Sequence, residues 1–226
     1  MYTQTRFKQA LMLAASILTS SLVHAWPLTN GNGLQSTRTV SLENSINSID
    51  ISGNFEVNVE SGLDNTVSFT IDENLIDQVS IKSDLGELKI SMGHWISPSK
   101  RPTLRLKVKN LSSLAKIELS GAVNLPMGKI QKLSLSSVEL SGRSQLELDL
   151  SQTTDFHVNL SGSSTIKIGG NVKDLILVAS GANSANLLNL EGHSLQMELS
   201  GSNTVEYGNF ASVKKETSGA NSISKH

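Results

Sequence analysis

Lys116-Ile117-Glu118-Leu119-Ser120-Gly121 opens a stretch, running to Ser224, in which a Ser-Gly pair returns at Gly121, Gly142, Gly162, Gly181, Gly201 and Gly219. The steps between those glycines are 21, 20, 19, 20 and 18 residues, a near-constant period that calls for one supersecondary unit stacked several times. Two places before each glycine stand Leu119, Leu140, Leu160, Ala179, Leu199 and Thr217, and four places before it Ile117, Val138, Val158, Leu177, Met197 and Lys215. Four places after it come Leu125, Leu146, Ile166, Ala185, Val205 and Ile223, and six after it Met127, Leu148, Ile168, Leu187 and Tyr207. A two-residue apolar period on each side of the glycine describes two strands per repeat, each with one buried face. Glycine between them admits the positive φ of a sharp bend. The expected fold is all-β: a right-handed parallel β-solenoid, or β-helix, of coils about 20 residues around. With strands about 4.8 Å apart, six coils are on the order of 29 Å long. Asn183, Asn203 and Asn221, two places after their glycines, are read as a structural ladder whose asparagines suit a left-handed bend.

The region before the repeat divides into three. Residues 1–25 resemble a secretory signal, with Arg6 and Lys8 ahead of the apolar run Ala10 to Val23 and a Val23-His24-Ala25 cleavage site. That run is too short to cross a bilayer, which takes about 20 residues. Residues 26–39, with Asn30-Gly31-Asn32-Gly33, read as a flexible leader. Residues 40–115 read as a strand-rich N-terminal part containing an early coil at Ser52-Gly53, and residues 116–226 as the repeat solenoid. Alternation at Val67/Phe69/Ile71, Val79/Ile81, Leu88/Ile90 and Leu104/Leu106/Val108 marks strands of this part, with a helical turn at Asp72 to Gln78. It is expected to cover one end of the solenoid, while Lys214, Lys215 and Lys225 blunt the other.

Lysine and arginine number 19 against 20 acidic residues, and loss of Arg6 and Lys8 moves the balance from −1 to −3. Such a chain is a poor match for nucleic acid. It contains no cysteine, so disulfides and thiolate metal sites are excluded. An exported chain with no later membrane-spanning segment is expected in the periplasm or at the cell surface of a bacterium.

Asp50-Ile51-Ser52-Gly53-Asn54-Phe55-Glu56-Val57, Glu73-Asn74-Leu75 and the Glu-Leu-Ser-Gly units at Glu118, Glu139 and Glu198 carry a resemblance. From about Val40 to Ile223 the chain resembles the putative auto-transporter adhesin, head GIN domain family. The resemblance implies an exported, β-helical protein of bacterial envelopes with an adhesive role. It supplies no catalytic residues and no cofactor.

Two residue groups stand out as candidate sites. Between Glu87 and Glu118 the chain has no acidic residue, and Arg105, Lys107 and Lys109 alternate with Leu104, Leu106 and Val108. One strand therefore shows water a cationic face, able to attract an anionic glycan, a lipid headgroup or an envelope protein, or else serving to protect a sheet edge. Trp95, between Gly93 and Thr103, is either part of a binding loop or a plug over the coils. Glu118 with Glu139, and Glu198 with Glu216, share a column and are candidate calcium ligands, a solvated acidic face being the alternative.

Catalytic signatures are absent: the histidines lack metal-ligand spacing and no serine sits in a nucleophile turn. Asp149, Asp155 and Asp174 are read as lying at different offsets, without a paired-carboxylate site. The expectation is a non-enzymatic, adhesin-like envelope protein. The alternatives are a polysaccharide-degrading enzyme on a β-helix and a periplasmic structural or signalling protein.

Overall fold

The computed structural model describes residues 28–127 and 133–226; the expected signal segment lies outside them. In chain order the strands are β1 (Thr29–Asn30), β2 (Gln35–Leu42), β3 (Ser48–Gly53), β4 (Glu56–Ser61), β5 (Asn65–Asp72), β6 (Val79–Asp84), β7 (Glu87–Met92), β8 (Ile96–Ser97) and β9 (Thr103–Val108). They continue with β10 (Lys116–Gly121), β11 (Asn124–Pro126), β12 (Ser137–Leu140), β13 (Gln145–Gly162), β14 (Thr165–Gly181), β15 (Ser184–Gly201), β16 (Thr204–Tyr207), β17 (Phe210–Gly219) and β18 (Ser222–Lys225). Short 3-10 turns at Glu73–Gln78 and Leu111–Ser113 are the helical elements among the described residues.

The repeat winds into a parallel β-solenoid. On one wall β3, β10, β12, the second halves of β13, β14 and β15, and then β17 lie side by side. Ile51, Leu119, Leu140, Leu160, Ala179, Leu199 and Thr217 occupy successive rungs of one inward column, as the spacing predicts. A second wall stacks β4, β11, the first halves of β13 to β15, β16 and β18. Unequal coil lengths do not disturb the corner, because register shifts between Leu150 and Gln152 and between Lys167 and Gly169 take up the slack on the far side.

Glycine at the corner is required twice over. Gly121, Gly142, Gly162, Gly181, Gly201 and Gly219 have φ between +74° and +105°, and a Cβ on any of them would run into the carbonyl oxygen of the glycine one coil below. That carbonyl is occupied by the next amide up: Ala122 donates to Gly53 at 2.7 Å, Ser163 to Gly142 at 2.7 Å and Ala182 to Gly162 at 2.8 Å. Just beyond the corner the asparagines form the expected ladder, for a different reason than expected. They are not in the left-handed region; their side chains turn inward. Asn183 Nδ2 donates to Asn203 Oδ1 at 2.9 Å, Asn203 Nδ2 to Asn221 Oδ1 at 2.8 Å, and each amide also reaches the corner serine carbonyl of its own coil. Asn183 and Asn203 are buried, so the amides replace aliphatic packing with hydrogen bonds that leave little polar capacity unmet.

The long gap between Gly53 and Gly121 has a topological cause. The chain makes the β3–β4 coil first, then builds β5 and β6, and only afterwards lays β7 against β3 and β9 against β4. The coil of residues 87–108 thus sits beneath the coil made earlier at residues 48–61. Residues 109–115 carry the chain past that earlier coil to β10, which stacks on its other side. Antiparallel β6 and the β2–β5 pair close the end, with Leu75 fully buried under them. In this out-of-order coil the Ser-Gly corner is replaced by the ten residues from Gly93 to Pro102, the loop that carries Trp95. At the opposite end the inward column becomes polar: Lys215 replaces an aliphatic residue and its Nζ lies 5.0 Å from the centre of the Tyr207 ring.

The leader is not loose from Leu28 onward. Thr29 and Asn30 pair with β8, and Gln35 to Thr39 belong to β2, in antiparallel register with β5. Asp72 pins the bend between them. Its fully buried carboxylate accepts hydrogen bonds from the Gly33 amide at 2.7 Å, the Ser99 amide at 2.8 Å and the Ser99 hydroxyl. Burial pushes this carboxyl up, but the Ser99 hydroxyl with the amides of Ser99 and Gly33 outweighs it and holds the pKa below the ordinary 3.8. The flanking glycine pair shows no sign of this in the sequence because the anchor is 39 residues away.

Candidate functional site

β9 buries Leu104, Leu106 and Val108 and turns Thr103, Arg105, Lys107 and, just past its end, Lys109 to solvent. Edge protection does not explain these cations, because β9 is an interior strand between β4 and β5. Arg105 Nε is 3.8 Å from Glu60, at the limit of an ion pair, and Lys107 and Lys109 make none among the described residues. Desolvation of such exposed groups costs little, so they remain available to a ligand.

Across from the cations lie hydroxyls that were missed in the sequence. In register, Thr103 faces Thr70, Arg105 faces Ser68 and Lys107 faces Thr66; those three in turn face Thr37, Thr39 and Ser41 of β2. Thr37 and Thr70 share a hydrogen bond of 2.7 Å, Thr39 and Ser68 one of 2.8 Å. Of these residues Thr37, Ser68, Thr70 and Thr103, together with Asn58 of β4, line a groove of about 470 Å³ that runs up to Arg105 and Lys107. The alternation of hydroxyls at Thr37/Thr39/Ser41 and Thr66/Ser68/Thr70 is visible in the sequence, but their meeting depends on antiparallel pairing across about 30 residues.

Of the other basic residues of the same run, Lys89 and Arg101 are already engaged, whereas exposed Lys100 makes no ion pair among the described residues. Lys89 Nζ is 2.7 Å from Asp50, which raises its pKa. Arg101 reaches Glu56 at 3.2 Å and donates to the carbonyls of Phe55 and Ala122, bracing the corner.

Trp95 is exposed and adopts φ +62°, so it is not a plug. Ile96, its neighbour, does the packing, half-buried against the core. The loop borders the Thr103 end of the β9 face, and Trp95 itself is not among the residues that line the groove.

The acidic column is brought together as the spacing requires. Glu118 faces Glu139 and Glu198 faces Glu216 on neighbouring rungs. Lysines already occupy the places a cation would take: Lys116 Nζ lies 2.7 Å from Glu118 and 3.3 Å from Glu139, and Lys214 Nζ lies 2.7 Å from Glu216, holding that carboxyl below its usual range. Asp50, Glu87 and Glu118 bring carboxylate oxygens within 4.8 Å of one another, again with Lys89 on Asp50. Hard cations take six to eight oxygens, more than any of these groups offers. Asp155 and Asp174, read as scattered, in fact share a rung of β13 and β14. Both are at least partly open to water, and Lys173 is 3.7 Å from Asp174, so the pair is a solvated surface feature.

Residues 46–225 match the profile of the family described as putative auto-transporter adhesin, head GIN domain. The chain belongs to that family. Among solved structures, a putative adhesin from Bacteroides fragilis superposes with a TM-score of 0.64 at 12% identity, covering 87% of this chain and 99% of that one. A putative adhesin from Parabacteroides distasonis gives 0.58 at 16% identity over 88% of this chain and 99% of that one. A protein from the same species named putative lipid binding protein gives 0.52 at 18% identity over 87% and 98%. At these identities the likeness establishes the fold alone. No curated protein matches the chain. Among the described residues, no helix of this head GIN protein is long and apolar enough to cross a membrane.

Proposed function

We propose that the chain is a non-enzymatic, extracytoplasmic binding module that holds an anionic envelope or surface ligand against the outer face of β9. One observation carries the reading: Lys107, on an interior strand that has no edge to protect, and Lys109, just past its end, are exposed and unpaired among the described residues. Arg105 extends the row, and exposed Trp95 stands on the loop that leads into β9. Membership of a family described as adhesin-like supports a binding role. Replacing Arg105, Lys107 and Lys109 together by glutamate abolishes retention of the protein on cell-envelope fractions under this reading. Unchanged retention contradicts it.

A lipid ligand has one observation in its favour. Leu63, at the tip of the β4–β5 turn, is 88% exposed, and its neighbour Gly62 donates to the carbonyl of Val108, beside Lys109. An apolar tip flanked by lysines suits a headgroup boundary, and a fold relative carries the name putative lipid binding protein.

A further inference from the structure

We infer that the groove across β2, β5, β9 and β4 is a subsite for a linear acidic polysaccharide, whose carboxylates or sulfates meet Arg105 and Lys107 while its hydroxyls meet the serine and threonine rows. The inference rests on the reading of the β9 face above and adds the ligand's chemical class.

Three features separate such a polymer from a membrane surface. First, the outward residues of the four strands are polar throughout, from Thr37, Thr39 and Ser41 on β2 to Asn58 and Glu60 on β4. Membrane docking gains most of its energy from inserted apolar groups, which the outward rows of these strands lack; exposed Leu63 is on the β4–β5 turn and does not line the groove. Second, each hydroxyl in the Thr37–Thr70 and Thr39–Ser68 pairs uses only part of its capacity on its partner. A hydroxyl has one donor and two acceptor sites, so each pair still presents both kinds to a ligand, as a sugar requires and a phosphate does not. Third, Arg105 and Lys107 point the same way from one strand about 7 Å apart, so the cations form a row. A row suits charges repeated along a chain, whereas a single phosphate is held by cations that converge. The 3.8 Å Arg105–Glu60 contact is loose enough for a ligand carboxylate to displace it.

The test uses the purified mature protein against polygalacturonate, dextran sulfate, neutral dextran and phosphatidylglycerol vesicles. The expected result is binding to one or both acidic polymers, weakened by salt, with none to neutral dextran. Thr70→Val with Thr103→Val removes two hydroxyls at little cost to strand propensity and is expected to weaken binding about tenfold at unchanged salt dependence. Lys107→Gln with Lys109→Gln is expected to flatten the salt dependence as well. Circular dichroism verifies that both variants are folded. Equal binding by the Thr70→Val, Thr103→Val protein overturns the subsite, as does binding to vesicles alone or to none of the four. The envelope-retention experiment keeps the two ideas apart: loss of retention on charge reversal leaves the β9 reading standing even when the polysaccharide fails, and persistent retention removes both.

Discussion

Asn203 shows how much one buried side chain holds. Its Oδ1 accepts from both the backbone and the side-chain nitrogen of Asn183, and its Nδ2 donates to Ser200 and Asn221. Asn203→Ala strands two buried donors of Asn183 and is expected to cost about 2–4 kcal/mol. Asn221→Ala, in the half-open last coil, costs less, because water replaces the lost amide. Urea denaturation of the two variants checks the order; equal losses contradict the ladder. Asp72 acts on a different region. Because its carboxyl is lowered in the folded chain, its contribution is complete above the ordinary carboxyl pKa of 3.8 and is lost as pH falls through the folded value. Asp72→Asn is expected to lower stability by about 2 kcal/mol at neutral pH. The gap in melting temperature between wild type and variant narrows as the pH drops from 4 toward 2 if this is right, and a constant gap rules it out.

At the scale of elements, legibility in the sequence followed the distance over which a signal acts. The corner glycines and the aliphatic columns repeat every 18 to 21 residues, so Leu119, Leu140 and Leu160 announce their own stacking. The strands β5, β6, β7 and β9 were equally plain from alternation at Val67, Ile81, Ile90 and Leu106. Their order was not. Nothing local says that β7 joins β3 on the side away from β10, because strand choice depends on which free edge the chain meets and not on its own side chains. Reading Arg105, Lys107 and Lys109 as edge protection failed for this reason. The cations were identified correctly as outward residues, but the hydroxyl rows of β2 and β5 that complete the groove come from strands 29 and 33 residues apart at the bonded pairs.

The whole molecule is a narrow stack, closed at one end by strands laid down out of sequence and finished at the other by a polar coil. From β7 to β17 the parallel wall is eight strands deep, on the order of 34 Å, longer than the repeat alone predicts. The order of its layers decides which strands border β9, and so whether the cationic row faces hydroxyls at all. Stacking the coils in chain order would set β9 between β4 and β11 and take the threonine rows away.

The absence of cysteine makes that order directly measurable. Ser52 is the rung neighbour of both Ser91 and Ser120 on the outer surface, whereas Ser91 and Ser120 lie two rungs, about 9.6 Å, apart. A disulfide needs Cα atoms within about 7 Å. Paired substitutions Ser52→Cys with Ser91→Cys, and Ser52→Cys with Ser120→Cys, are each expected to oxidise to an intramolecular disulfide, and Ser91→Cys with Ser120→Cys to stay reduced. Cross-linking of Ser91→Cys to Ser120→Cys, with none between the Ser52→Cys and Ser120→Cys positions, would show the coils stacked in chain order and contradict the account.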